Sequence, residues 1–258
     1  MVFDHAHSVL DVPRRRLVQA GPAGFRIWAH RGYSAAAPEN TMAAFRAAET
    51  AGADGIELDI QLSRDGIPVV LHDETVDRTT DGRGEAANFT LRELRWLDAG
   101  SWFDPAFAGE ALPSLEEVLL WAEDRLWLNL EIKAAAAGRA ILEMLPSFPR
   151  ARLLVSSFDH ALLESLRRVH PKLPLGFLLD SYFWRRAVGR AVACGAESLN
   201  PRHDRLSRHL LAACRRRGLA VYPWTVDDPR RVVRLRQQGV SGVFTNDPAA
   251  IRRVLNRL

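Results

Sequence analysis

A parallel (β/α)8 barrel is the fold class this sequence predicts, and three observations predict it. Short β-like runs alternate with helical ones from residue 25 to the end, with few long gaps between them. Such alternation implies parallel strands joined by crossover helices. The strand–helix units number eight in a chain of 258 residues, which suits one barrel domain better than an open doubly wound sheet. Acidic and imidazole side chains also gather at the ends of several strands, where a barrel places its chemistry.

Residues 1–24 read as an N-terminal arm ahead of the first strand, FRIWAHR (25–31), and its helix, 41–50. In DGIELDIQL (54–62), Glu57 and Asp59 alternate with Ile56, Leu58 and Ile60, so carboxylates leave one face of the strand and apolar side chains the other. PVVLHD (68–73) is a further strand piece, paired beside it across the Asp65-Gly66 turn. Residues 74–112 interrupt the alternation. Their Gly, Asp, Pro and scattered aromatics (TTDGRG, DAGSWFDPAFAG) mark a compact insertion, with Trp96, Trp102 and Phe103 expected as its own small core. Helix 115–123 and strand 127–133 resume the pattern, followed by helix 139–145, strand 152–158 and helix 160–169. Strands 173–179, 197–201, 220–226 and 242–247 complete it, each followed by a helix: 183–193, 207–217, 229–238 and 248–256. No linker divides the chain, and no propeller or solenoid period is apparent.

Composition narrows the function. At 47% hydrophobic, 26% charged and 8% aromatic, the chain is neither collagen-like, nor of low complexity, nor wholly disordered. It has no apolar stretch of bilayer length, and MVFDHAHSVLDVPRRRL lacks the apolar region of a secretory signal, so the expected location is cytoplasmic. Cys194 and Cys214 are too few for a disulfide framework or a thiolate zinc site. The net charge of +4 and the separated runs Arg14–Arg16 and Arg215–Arg217, which lack interleaved aromatics, do not point to nucleic acid. Neither GxGxxG nor GxxxxGK[ST] occurs, which removes dinucleotide and nucleoside triphosphate binding. Ser156 and Ser157 have no nucleophile elbow and read as wall residues.

Strand ends bring together His30 with Arg31, Glu57 with Asp59, His72, and Glu131 with Lys133. Three inward carboxylates in a barrel mouth repel and lose hydration, which is unfavourable unless a cation compensates. All-oxygen ligands favour Mg²⁺ or Ca²⁺ over zinc. Two histidines near such an ion suit acid–base exchange, and Arg31 suits the anionic oxygens of a phosphodiester. These parts point to phosphodiester cleavage.

The segments AHRGYSAAAPENTMAAF and ADGIELDIQLSRDGIPVVLHDETVDRTTDGRG closely resemble the glycerophosphodiester phosphodiesterase family. LDAGSWFDPAFAGEALPSLEEVL, LNLEIK, LLVSSF, YPWTVDD and VFTNDP follow in the family's order, so the likeness covers about residues 25–258. It implies a metal-dependent barrel enzyme that releases glycerol phosphate and an alcohol from a glycerophosphodiester such as glycerophosphocholine. Glu57, Asp59 and Glu131 would then be metal ligands, and His30 and His72 the acid–base pair. Arg31 and Lys133 would meet the phosphate, Glu39 and Asn40 would line the metal or substrate site, and Trp224 would wall the glycerol. A cyclic phosphate formed by the glycerol hydroxyl and opened by water is the implied route. Asn246 stands where many relatives carry an acid, so its contact is neutral.

Two further readings stand beside this one. Tyr182, Phe183 and Trp184, next to Arg185 and Arg186, would grip an acyl chain or touch a membrane in a lysophospholipase D; the expectation retained is that Phe183 and Trp184 open a helix and face the core. A non-catalytic barrel binding a phosphorylated polyol is the other reading, which the two histidines disfavour.

Overall fold

Strands that are apolar on both faces need cover on both, and this chain supplies it by returning through a helix after nearly every strand. A computed structural model describes residues 24–257, so the expected arm lies outside the described residues except for Gly24. The first half contains β1 (Arg26–His30), α1 (Met42–Thr50), β2 (Gly55–Leu62), β3 (Pro68–Val70), α2 (Leu91–Leu94), α3 (Leu115–Ala122), β4 (Trp127–Ile132) and α4 (Ala137–Met144). The second contains β5 (Arg152–Ser157), α5 (His160–Val169), β6 (Leu175–Leu179), α6 (Trp184–Ala193), β7 (Ser198–Pro201), α7 (Arg208–Arg216), β8 (Ala220–Val221), α8 (Pro229–Gln238), β9 (Gly242–Thr245) and α9 (Pro248–Leu255). Local chemistry sets the helix starts. Thr41 caps α1, Ser114 and Glu117 form a capping box on α3, and Asp–Pro pairs at 228–229 and 247–248 open α8 and α9.

The strands lie in the order β8-β7-β6-β5-β4-β2-β1-β9, all parallel, with β3 antiparallel on β2. β8 is shorter than expected because Pro223 has no N–H to donate to a ladder. Across the remaining seam, Ser241 N–H donates to the Val221 carbonyl (2.9 Å) and Phe244 N–H to that of Pro223 (3.0 Å), so the barrel is nearly closed. Outward side chains such as Ile27, Ile56, Leu58, Leu128 and Val155 pack under the helices. Inward, Trp28, Leu154, Tyr222 and Phe244 fill the barrel, with Trp28 edge-on to Tyr222 and stacked on Phe244, both at 5.8 Å. Gly55 makes room for this plug: a Cβ there would lie 2.7 Å from the Trp28 ring and 2.8 Å from the Trp127 carbonyl.

The hairpin expected across Asp65-Gly66 is present: β3 runs back antiparallel along β2 and delivers His72 into the mouth from above. Two other expectations need correction. Within residues 74–112, Trp96 and Trp102 are 80% and 41% exposed, and Phe103 lies edge-on to Trp102 and Phe107. The small core under that segment is instead Val69, Leu71, Val76, Ala86, Leu94, Ala99 and Leu112. Second, α6 begins at Trp184, which packs against the core, whereas Phe183 is 84% exposed. No helix of the described residues is long and apolar enough to cross a membrane.

Candidate active site

Period-2 alternation in parallel strands stacks inward residues in rows. One row places His30, Glu57 and Asn129 side by side on β1, β2 and β4; the next places Asp59, Glu131 and Ser156 together. Glu57, Asp59 and Glu131 are all buried, with one ligand oxygen of each within 4.8 Å of the others. Burial, then the charges of Asp59 and Glu131, push Glu57 well above the ordinary carboxylate range. Burial and Asp59 push Glu131 up to about 7. Burial opposes ionisation of Asp59 as well, but Lys133 and Arg31 outweigh it and hold that carboxyl down. Lys133 Nζ lies 3.1 Å from Asp59 and also bonds Glu131, so its one charge is shared between them. Arg31 Nε lies 3.3 Å from Asp59, and its backbone N–H donates to Glu57 at 3.0 Å.

Glu57 Oε1 is buried without a hydrogen-bond partner. An orphaned carboxylate oxygen among two further acids fits a hard divalent cation, and the donor set is all oxygen. Asn40 touches this cluster through Asp59. Its amide donates to Asp59 Oδ2 at 2.8 Å and accepts from Asp59 N–H at 3.3 Å, so it fixes the carboxylate from behind.

The two imidazoles are anchored differently. His30 Nδ1 lies 2.8 Å from Asn246 Oδ1. The Asn246 amide donates through Nδ2 to Asp227 at 2.9 Å, which orients its oxygen toward His30; the Nδ1–H is therefore the donor and Nε2 keeps its lone pair. Nε2 sits 4.0 Å from Glu57 Oε2. Burial, reinforced by the neighbouring Arg31 charge, pushes His30 down to about 4. His72 Nδ1 instead meets the Asp73 carboxylate at 2.5 Å. Hydrogen bonds from Arg78, outweighing burial, pull Asp73 down to about 2. Arg78 also bonds Glu39 at 2.8 and 3.1 Å, and Glu39 bonds Arg31 at 2.8 Å, so an ion-pair chain crosses the mouth.

His30, Arg31, His72, Glu57, Glu131, Lys133 and Trp224 line one pocket of about 200 Å³. Glu39 lines the adjoining outer mouth. Trp224 donates its indole N–H to the Asn200 carbonyl at 2.8 Å and stands edge-on to Phe158 at 5.6 Å, forming an apolar wall. Sequence reasoning passed over Arg78, Asp227, Asn129 and Phe158, and gave Asp73 no role. Adjacency to His72 was the available signal for Asp73; Arg78 had none, because its position depends on how an irregular segment folds back.

Residues 30–250 match the Glycerophosphoryl diester phosphodiesterase family. The chain is 39% identical over 235 residues to a glycerophosphodiester phosphodiesterase of Caldanaerobacter subterraneus subsp. tengcongensis, covering 87% of this chain and 95% of the relative. It is 32% identical over 248 residues to one from Bacillus subtilis, covering 88% of this chain and 85% of that protein. Among solved structures it resembles an Oleispira antarctica phosphodiesterase in complex with the product sn-glycerol-3-phosphate, with a TM-score of 0.84, 31% identity and coverage of 90% and 96%.

Proposed function

From the premise that this chain belongs to the glycerophosphoryl diester phosphodiesterase family and is an enzyme of that class, we propose that it hydrolyses a glycerophosphodiester such as glycerophosphocholine by exchange of protons between His30 and His72. One observation carries the reading: two imidazoles, one tied to an amide and one to a carboxylate, share a single pocket with Glu57 and Glu131, which form a buried cluster with Asp59. Glu57, Asp59 and Glu131 would hold a divalent cation, Mg²⁺ or Ca²⁺, whose chemistry is Lewis-acid stabilisation of phosphate charge. Arg31 and Lys133 present cationic groups to the same phosphate.

His30 Nε2, its lone pair held toward the pocket, removes the proton of the glycerol hydroxyl next to the phosphoester, and that oxygen closes a five-membered cyclic phosphate. His72, held at Nδ1 by Asp73, delivers a proton from Nε2 to the departing alcohol. In the second step His72 Nε2 takes a proton from water, which opens the ring, and His30 returns its proton to the glycerol oxygen. Trp224 and Phe158 pack the carbon skeleton and keep water from that side.

The test is glycerol phosphate release from glycerophosphocholine with Mg²⁺ or Ca²⁺ added or chelated, beside choline release from lysophosphatidylcholine. Metal-dependent turnover of the first supports the reading. Preference for the second would make the enzyme a lysophospholipase D, a reading favoured by the apolar wall of Phe158, Leu178, Trp224 and Phe244. Binding without turnover of either would favour the phosphopolyol-binding barrel.

A further inference from the structure

The helices α6–α9 follow the last four parallel strands and so cover one continuous half of the barrel wall, with α6 against α7 and α8 against α9. Residues 181–258 carry sixteen arginines and five carboxylates, whereas residues 24–180 carry sixteen basic and twenty-four acidic side chains. A net charge of only +4 therefore hides two flanks of opposite sign. Arg185, Arg186, Arg208, Arg216, Arg230 and Arg253 are all exposed on the basic one.

At the mouth end of this flank, the turn from β6 into α6 exposes Tyr182 and Phe183 at 70% and 84%. Trp184 roots the turn in the core. Arg205 stacks on the Tyr182 ring at 4.1 Å and bonds its hydroxyl, which fixes that ring outward. Arg202 and Arg205 are already matched by Asp180 and Asp204. Arg185 rests 4.7 Å from the Trp184 ring, and among the described residues no carboxylate pairs with Arg185 or Arg186. Exposed aromatics beside uncompensated guanidiniums match a boundary that is apolar below and anionic at its surface. A nucleic acid would satisfy the arginines and leave Phe183 in water.

We propose that the chain docks peripherally on anionic phospholipid surfaces, with Phe183 and Tyr182 entering the headgroup–acyl boundary and Arg185 and Arg186 meeting lipid phosphates, backed by the basic flank. The inference does not depend on the catalytic reading. The experiment is co-sedimentation of the full chain with vesicles of phosphatidylcholine alone and of equal phosphatidylcholine and phosphatidylglycerol. Binding is expected only to the mixed vesicles and is lost at high salt. Arg185→Gln with Arg186→Gln lowers the partition coefficient about thirty-fold. Phe183→Ser lowers it about tenfold. Unchanged thermal unfolding midpoints confirm that the variants are folded. Absence of binding to the anionic vesicles overturns the proposal, as does binding that the variants leave unaltered. Salt-sensitive self-association in place of vesicle binding, or equally tight binding to duplex DNA that is insensitive to Phe183→Ser, would also overturn it.

Discussion

Replacing Asn246 with Asp changes one atom type at the anchor of His30 and nothing in shape. The wild-type amide accepts the Nδ1 proton at 2.8 Å without favouring a charged ring, and burial with Arg31 keeps the imidazole near 4. A carboxylate in the same place favours the imidazolium. Two unit charges about 4 Å apart attract by about 4 kcal/mol at an effective dielectric of 20. Asp227 sits 2.9 Å from the substituted atom and opposes ionisation at 246, so the net effect falls within the usual shift of about 1–3 pH units. Protonated His30 has no lone pair at Nε2, so the acid limb of kcat/KM moves up by that amount. The assay is a pH–rate profile on glycerophosphocholine at saturating metal. An acid limb in the same place as in the wild type would refute the argument, and a uniform loss of rate with no shift would reduce Asn246 to a structural contact.

Three other outcomes follow from the geometry. Gly55→Ala drives a methyl into Trp28 and the Trp127 carbonyl, costing about 1–3 kcal/mol and lowering Tm by roughly 2–10 °C in calorimetry. For the chelated protein, Glu131 has a folded pKa raised to about 7, so stability is full below the ordinary carboxylate value and declines as pH rises through 7, by on the order of 3 kcal/mol; urea titrations across that window check it, and added divalent cation should flatten the trend. Arg78→Ala severs bonds to Asp73 and Glu39. Because Arg78 is 44% exposed, stability falls by under about 1 kcal/mol, while kcat/KM drops about tenfold as His72 loses its brace. That stability difference is present above the ordinary carboxylate pKa and vanishes as pH falls through about 2, where wild-type Asp73 protonates.

Periodicity made the barrel readable: α5 and α8 span the residues their apolar spacing marks, and β2 places Glu57 and Asp59 on one face as alternation requires. The metal-type cluster was readable for the same reason, since inward direction is a local property of a strand. What escaped was non-local. Asn246 reaches His30 across 216 residues of chain, and Arg78 reaches Glu39 from a segment with almost no regular structure. The hairpin that brings His72 to the mouth was legible, in contrast, because the Asp65-Gly66 turn joins two adjacent strand-like runs. Trp96 and Trp102 were expected inside because large aromatics usually are, yet smaller aliphatic residues already fill the space under that segment.

The aromatic plug of Trp28, Tyr222, Phe244 and Leu154 makes the barrel a vessel with one door. Whatever enters the pocket leaves by the path it came. On the proposed route, water must reach the cyclic phosphate from the side the alcohol has just occupied, so the alcohol has to clear the mouth before hydrolysis begins. Release is then ordered, alcohol first and glycerol phosphate last, and a bulky head group that lingers in the mouth slows the second step without touching the first.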